Sequence, residues 1–213
     1  APLTARSLRR TAGGADVVKL SRALDRVETA ALLRSLQADP NVAHAEIDDV
    51  LRHTGLERRS VTLQPRRATV QSTPDDPYYA QYQWHFHNPT GGIRAPSAWD
   101  ASTGEGIVVA VLDTGITAHS DLDDNVLEGY DFITDAFISR RDSDERAPGA
   151  QDLGDWDDDG TECPLSDSSW HGTHVTGTAA EATNNGIGMA GVAHGAKVLP
   201  VRVLGRCGGY ESD

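Results

Sequence analysis

Apolar positions divide the chain into a weakly patterned N-terminal part and a strongly patterned C-terminal part. In the first part, residues 15–20 predict a short strand, and apolar residues recur at helical spacing through residues 28–38. Residues 41–47 then predict a second strand. We expect this strand–helix–strand segment within residues 1–50 to be too small to bury a good core by itself.

Residues 51–73 have little apolar periodicity and are rich in Arg, Gln, Thr, Ser and Pro, which predicts a linker. The pairs Arg58-Arg59 and Arg66-Arg67 leave it open to proteolysis. They indicate either a processing site or a solvated basic loop.

Residues 74–213 follow an α/β pattern. A β-branched run at residues 107–112 predicts a parallel strand buried on both faces. Small residues at 172–182 are compatible with a helix, and residues 197–204 predict another strand, so a crossover onto one sheet is expected. The long polar insertion at residues 134–169 is of a length that usually carries function or binds ions.

The charge changes sign between the two parts. Residues 1–73 carry 12 Lys and Arg against 8 Asp and Glu, a net +4, whereas residues 74–213 carry 7 against 24, a net −17. We expect the two parts to attract each other. The acidic part argues against nucleic-acid binding, which needs a positive surface. The sequence contains no run of 18 or more apolar residues, so no membrane-spanning helix is predicted.

The chain has two cysteines, Cys163 and Cys207. Such an even, sparse count is compatible with one disulfide formed in an oxidising compartment, and two unrelated thiols are the alternative. The residues after Ala1 are polar and basic and do not form a signal peptide. If the protein is secreted, we expect its signal to have been removed or not to be included.

The candidate chemistry is concentrated at Asp113 and His171. Asp113 ends an apolar strand and precedes Thr-Gly, so we expect it at the carboxyl edge of the sheet, where catalytic groups of open α/β sheets gather. A buried carboxylate needs a partner, and an imidazole N–H is a suitable one. His171 begins the small-residue helix and could act as general base and then general acid. The alternative is an aspartate that only caps a turn.

His174 follows His171 by three residues on nearly the same helical face. A metal pair is disfavoured, because zinc-binding helices space two histidines by four with a glutamate between them. We therefore expect His174 to be a hydrogen-bonded, partly buried structural residue.

Three motifs resemble those of the subtilisin-like serine proteases. They are Asp-Thr-Gly at 113–115, His-Gly-Thr-His-Val-Thr-Gly-Thr at 171–178, and Asn-Asn-Gly-Ile-Gly at 184–188 followed by Gly-Val-Ala. The resemblance runs from residue 75 to residue 213. It implies an α/β fold with a subtilisin-like parallel sheet and helices on both faces. It also implies that Asp113 and His171 are the catalytic aspartate and histidine of a Ser-His-Asp triad.

The same resemblance implies a calcium ion. The family's high-affinity site would correspond here to the side chains of Asp76, Asp121 and Asn185 and the carbonyl oxygens of Ala182, Ile187 and Met189. Carboxylates and carbonyls on an extended loop form an all-oxygen cage for a hard ion. The alternative is a glycine-rich loop without metal.

The insertion contains a run of aspartates that is explained equally well by a second ion or by a solvated acidic loop. The run comprises Asp152, Asp155, Asp157, Asp158 and Asp159. In the family, the stretch that matches Gly208-Gly209 pairs with extended substrate as an added strand, which implies broad specificity.

The resemblance also divides the chain. Residues 1–50 would be a partial α+β propeptide that inhibits its own enzyme, residues 51–73 the processing region, and residues 74–213 the N-terminal part of the catalytic domain. The Gly-Thr-Ser nucleophile motif and the oxyanion-hole asparagine do not occur, so we expect a chain truncated at both ends. Ser168 and Ser169 precede the histidine and lack the Gly-Thr context of the nucleophile.

Together these features predict a fragment of a secreted, extracellular, calcium-dependent serine endopeptidase precursor. It would act on proteins and peptides, be a monomer when complete, and bind neither nucleic acid nor membrane. The fragment itself is expected to be inactive, because the nucleophile and the oxyanion stabilisation are both missing. The alternative is a catalytically inactive calcium-binding or inhibitory module.

Overall fold

The computed structural model describes residues 2–11, 14–51 and 73–213, so nearly all of the predicted linker at 51–73 lies outside the described residues. The chain divides into two compact units. The first consists of Ala1–Val50 and Tyr210–Ser212, and the second of Leu51–Gly209 and Asp213. Within the described part of the chain, every helix is too short or too polar to cross a bilayer.

The first unit contains a hairpin and one helix. Strand β1 (Ala5–Arg10) pairs antiparallel with β2 (Asp16–Leu20), and helix α1 spans Arg26–Gln37. The carboxylate of Asp25 accepts the N–H of Glu28, and the Glu28 side chain accepts the N–H of Asp25. This reciprocal capping box fixes where α1 begins.

The predicted second strand at residues 41–47 is wrong. The side chain of Asp39 accepts the Asn41 N–H, and the Asp39 carbonyl accepts the Val42 N–H, so turn chemistry prevails in this segment. The next strand, β3, is only Val50–Leu51. The hairpin strand β1 was not predicted, because its sequence contains three arginines and a single leucine.

Three short helices open the second unit. They are α2 (Tyr79–Tyr82), α3 (Trp84–His87) and α4 (Ala95–Trp99). Buried side chains of these helices, Tyr79, Phe86 and Ala95, form one core cluster with Ala190 from a later loop, and Trp99 packs against it.

A four-stranded mixed sheet follows these helices. Its strands are β4 (Val108–Asp113), β5 (Tyr130–Asp131), β6 (Ala147–Pro148) and β7 (Lys197–Arg202), in the spatial order β4-β7-β5-β6. The strand β7 runs parallel to both β4 and β5, whereas β6 pairs antiparallel with β5. The predicted α/β fold is confirmed.

The elements between the strands complete the unit. Helix α5 (Ala136–Ser139) lies in the insertion, and α6 spans His171–Ala180. The short strand β8 (Gly209–Tyr210) comes last in the chain, and its Tyr210 belongs to the first unit. Helix α6 packs on β4 and β7. The face of α6 that is buried carries only small side chains, namely Gly172, Thr176, Gly177 and Ala180.

Strand β4 is not buried on both faces as predicted. Its side chains alternate, and Val108 and Leu112 are 55% and 63% exposed. Helix α6 covers one face of the strand, and these two side chains point to the other face. A β-branched run therefore gave the strand correctly but overstated its burial.

Candidate active site

His171 and Asp113 are in direct contact at the carboxyl edge of the sheet. Nδ1 of His171 lies 2.9 Å from Oδ1 and 2.8 Å from Oδ2 of Asp113. The aspartate is buried, whereas the imidazole side chain remains 36% exposed. A carboxylate at Nδ1 keeps the proton on that nitrogen and leaves Nε2 as the basic atom.

The turn after β4 orients the carboxylate of Asp113. The Thr114 N–H donates to Oδ1 of Asp113 at 2.7 Å. Gly115 has a φ of 99°, which an L side chain rarely adopts. A Cβ at Gly115 would also lie 2.5 Å from the carbonyl oxygen of Ala150, so the sharp turn requires glycine.

The start of α6 is packed directly against this turn. A Cβ at Gly172 would lie 2.2 Å from the carbonyl oxygen of Gly115, so only glycine allows the approach. The Gly172 N–H donates to Oγ1 of Thr114 at 3.0 Å, and the His171 N–H donates to Oγ of Ser169 at 3.2 Å. The helix that carries the histidine is thus tied to the turn that carries the aspartate.

The expectation that His174 is partly buried is wrong, because its side chain is exposed. The buried face of α6 is centred between Gly172 and Gly177. His174 lies roughly 200° around the helix from Gly172, at about 100° per residue, and so points away from the sheet.

Sequence reasoning missed Arg202, which ends β7 in register with Asp113 and is completely buried. Its Nε donates to the carbonyl of Thr114 at 3.0 Å, and its Nη1 donates to Oδ2 of Asp131 at 2.7 Å and to the carbonyl of Ser139 at 2.9 Å. The available signal was an arginine that ends an apolar strand, because a buried cation needs a partner.

Cys163 and Cys207 form a disulfide, with 5.7 Å between their Cα atoms. The predicted bridge is confirmed, and the alternative of two unrelated thiols is wrong. Asp157 lies beside both sulfur atoms. Because a disulfide offers no thiolate, these three residues do not make a metal site.

The aspartates of the insertion contact a cation from outside it, Arg206, that neither sequence interpretation included. Arg206 donates from Nε to Oδ2 of Asp157 at 2.9 Å and from Nη2 to Oδ2 of Asp159 at 2.7 Å. The amide and hydroxyl of Thr161, followed by the Arg206 guanidinium, lower the pKa of Asp159 to about 2. Arg206 thus supplies positive charge to this run of aspartates, beside which the sequence suggested either a second ion or solvent.

Two predicted calcium ligands are buried carboxylates, with Asp76 and Asp121 at 3% and 1% exposure. Oδ1 of Asp121 accepts from Nδ2 of Asn185 at 2.7 Å, and Oδ2 accepts the Met189 N–H at 3.0 Å. The Ala182 N–H donates to the Asp121 carbonyl at 2.8 Å. The structure therefore brings Asn185, Met189 and Ala182 into contact with Asp121.

The remaining predicted ligands border the same loop. The N–H groups of Asn184 and Asn185 donate to Asp76 at 3.0 and 3.4 Å. The Ile187 N–H donates to Oδ1 of Asn185 at 3.1 Å, and the side chain of Ile187 is exposed. The Asn185 carboxamide oxygen would have to be shared between this N–H and an ion.

Glu181 was not among the predicted residues, although it faces the same charges. Burial and then the negative charges of Asp121 and Asp76 raise the pKa of Glu181 to about 7. The carboxylates of Glu181, Asp121 and Asp76 thus affect one another, and those of Asp121 and Asp76 are buried. A divalent cation would compensate that negative charge.

Comparison with known proteins agrees with this geometry. Residues 104–213 match the sequence model described as the Subtilase family. An extracellular protease of Xanthomonas campestris pv. campestris is 49% identical over 97% of this chain, and an extracellular basic protease of Dichelobacter nodosus is 42% identical over 98%. The chain spans 33% of the length of each of these two relatives.

A solved structure points to the same fold. It is described as proteases from Pseudoalteromonas arctica PAMC 21717, is 51% identical in sequence, and superposes with a TM-score of 0.61. The match covers 65% of this chain and 41% of that one.

Proposed function

The chain belongs to the subtilase family, and from this membership we propose that it is part of a serine endopeptidase in precursor form. The contact between His171 and Asp113 carries the proposal. Asp113 would orient the imidazole and stabilise the imidazolium. Nε2 of His171 would take the proton of a serine hydroxyl during attack on a peptide carbonyl and return it to the leaving amine.

The nucleophilic serine is proposed to come from sequence outside residues 1–213. Ser169 has its hydroxyl 2.7 Å from Oδ2 of Asp155 and accepts the His171 N–H, so it supports the start of the helix. It also precedes the histidine in the chain, unlike the serine of the family. We therefore propose that residues 1–213 alone do not turn over peptides.

The experiment is active-site labelling with a fluorophosphonate probe, which reacts with an activated serine. We expect the longer gene product to be labelled, its His171→Ala variant to be unlabelled, and the 213-residue chain to be unlabelled. A longer product that stays unlabelled while folded would overturn the proposal in favour of an inactive calcium-binding or inhibitory module. Labelling of the 213-residue chain would contradict the assignment of the serine.

We also propose a calcium ion held by the side chains of Asp76, Asp121 and Asn185 and by the carbonyls of Ala182, Ile187 and Met189. The donor set is all oxygen, as this hard cation prefers, and two of its carboxylates are buried. Burial, and then the negative charges of Asp121 and Asp76, raise the pKa of Glu181, and a cation would offset that negative charge. The ion would hold the loop after α6 in place; it would take no part in proton transfer.

We also propose that residues 1–50 are an intramolecular inhibitor, residues 51–73 the processing region, and residues 74–213 part of the catalytic domain. Within the first unit, the Ser212 N–H donates to Oδ1 of Asp48 at 3.0 Å and the Glu211 N–H donates to the Asp49 carbonyl at 3.1 Å. The second of these is a backbone-to-backbone bond, of the kind by which an extended peptide adds to a strand. It supports an inhibitor segment that pairs with residues 210–212 as an extended peptide would.

Secretion is proposed because both relatives are named extracellular proteases and because the chain contains a disulfide. The substrates are proposed to be proteins and peptides bound with broad specificity along residues 208–209. The complete enzyme is proposed to be a monomer.

A further inference from the structure

The helix that carries His171 receives its N-terminal caps from outside the helix. The first N–H groups of any α-helix lack partners within it. Trp170 stands at the N-cap with a φ of 51° and makes no side-chain cap. The hydroxyls of Thr114 and Ser169 therefore accept the N–H groups of Gly172 and His171 in its place.

The Thr114 hydroxyl belongs to a buried chain of hydrogen bonds. It donates to Oδ2 of Asp152 at 2.7 Å and accepts the Gly172 N–H at 3.0 Å. Thr114 is completely buried and Asp152 is 4% exposed. A hydroxyl has one hydrogen, and an ionised carboxylate can only accept, so Asp152 directs that hydrogen towards itself and leaves an oxygen lone pair for Gly172.

Asp152 is itself held in place from two sides. Its Oδ1 accepts the Gly154 N–H at 2.8 Å, and its own N–H donates to the Ile116 carbonyl at 2.9 Å. The carboxylate thus has little freedom to move. A fixed carboxylate is what a hydroxyl needs if it is to keep one orientation.

Thr114 also contacts Asp113, the carboxylate that is paired with His171. Its N–H donates to Oδ1 of Asp113 at 2.7 Å, while its hydroxyl caps the helix that begins with His171. One residue therefore sets the position of the carboxylate and of the helix that brings the imidazole to it. Any rotation of the Thr114 side chain would loosen the second of these two links.

A second series of hydrogen bonds, again from an aspartate through a hydroxyl, reaches the His171 N–H from the surface. Ser169 donates from N and Oγ to the two carboxylate oxygens of Asp155 at 2.6 and 2.7 Å, and its Oγ accepts the His171 N–H at 3.2 Å. Ser169 is exposed, so solvent competes for these bonds and we expect them to contribute less.

We infer that Asp152, acting through Thr114, is a positioning residue for His171, with Asp155 and Ser169 as a weaker second support. This assigns a role to two aspartates of the polar insertion. It rests on the proposed function, because the geometry being maintained is that of the His171–Asp113 pair.

The kinetic test uses the serine-containing product and a chromogenic peptide substrate. We expect Asp152→Asn to lower kcat by about 10- to 100-fold with KM almost unchanged, because small displacements of a general base cost that much. Asp155→Asn should lower kcat less than Asp152→Asn does. The control is Asp167→Asn, which makes the same charge change at an exposed position four residues before His171 in the sequence. This variant should leave kcat unaltered.

Three further variants separate positioning from a loss of folding. Thr114→Ser keeps the hydroxyl and should retain most of kcat, whereas Thr114→Val should lose as much as Asp152→Asn. The double variant Thr114→Val/Asp152→Asn should be no worse than Thr114→Val, because the two residues act as one unit. Full activity in Thr114→Val, or additive losses in the double variant, would overturn the inference.

A spectroscopic readout on the 213-residue chain keeps this inference distinct from the proposed function. We expect the downfield proton-NMR signal of the His171 Nδ1–H to shift or broaden in Asp152→Asn and to stay in place in Asp167→Asn. If the wild-type product does not cleave peptides but the signal responds as expected, only the proposed function fails. If the signal and kcat of Asp152→Asn both match wild type, the positioning role fails.

Discussion

Arg202 and Asp131 form an ion pair with 2.7 Å between Nη1 and Oδ2, and their side chains are 0% and 4% exposed. Arg141 reaches the same carboxylate oxygen at 3.0 Å. Arg202 also holds the carbonyl of Thr114, the residue after Asp113. The buried pair therefore connects the turn at the candidate active site to the neighbouring strand β5.

Removing the carboxylate should destabilise the fold strongly. We expect Asp131→Ala to lower the free energy of unfolding by about 3–5 kcal/mol, because it leaves the guanidinium of Arg202 buried without its counter-charge. Urea unfolding measures this. Asp142→Ala, at an exposed aspartate, is the control. A loss for Asp131→Ala as small as for the control would contradict the role of the pair.

The close approach of α6 to the turn after β4 can be tested with one methyl group. We expect Gly172→Ala to lower the free energy of unfolding by about 1–3 kcal/mol, because its Cβ would lie 2.2 Å from the Gly115 carbonyl oxygen. At Gly91 a Cβ would meet its nearest neighbour at 3.6 Å, so Gly91→Ala is the matched control. Equal thermal stability of the two variants would show that the contact is unimportant.

The contacts of Asp159 predict a defined dependence of stability on pH. Its pKa in the folded protein is about 2, below the ordinary value of 3.8. The carboxylate therefore stabilises the fold above about pH 4, and this contribution is lost as the pH falls towards 2. We expect the urea midpoint of Asp159→Asn to fall less steeply than that of wild type between pH 5 and pH 2. Parallel curves would contradict the assignment.

Calcium should stabilise the loop that contains Asp121 and Asn185. We expect calcium to raise the melting temperature of the protein and a chelator to reverse the rise; at a concentration 100 times Kd, about 2.7 kcal/mol is available. Asp121→Asn should abolish the response, and Asp142→Asn should preserve it. A melting temperature that is indifferent to calcium would argue for the glycine-rich loop without metal.

The elements around the site could be predicted because each has a local sequence pattern that is typical of its secondary structure. Apolar β-branched runs gave β4 and β7, and the small residues after His171 gave α6. Asp113 could be placed because a carboxylate that ends an apolar parallel strand lies at the carboxyl edge of the sheet. The even count of two cysteines was compatible with the disulfide, although it also allowed two unrelated thiols.

The remaining features depend on residues that are distant in sequence. Arg202 and Asp131 are 71 residues apart, and Arg206 and Asp157 are 49 apart, so no local pattern pairs them. The caps of α6 come from Thr114 across the fold, which helix-start rules do not detect. Strand β1 was not predicted, because its arginines leave no alternating apolar pattern to detect. The exposure of one face of β4 could not be predicted either, because it depends on which other elements pack against that face.

His171 is proposed to be the general base that Asp113 orients. The most direct measurement is kcat/KM for peptide hydrolysis by the serine-containing product and its His171→Ala and His174→Ala variants. Loss of the base should lower kcat/KM by about 10⁴-fold or more. Substitution of the exposed His174 should leave it nearly unchanged. Near wild-type turnover in His171→Ala, or a comparable loss in His174→Ala, would contradict the account.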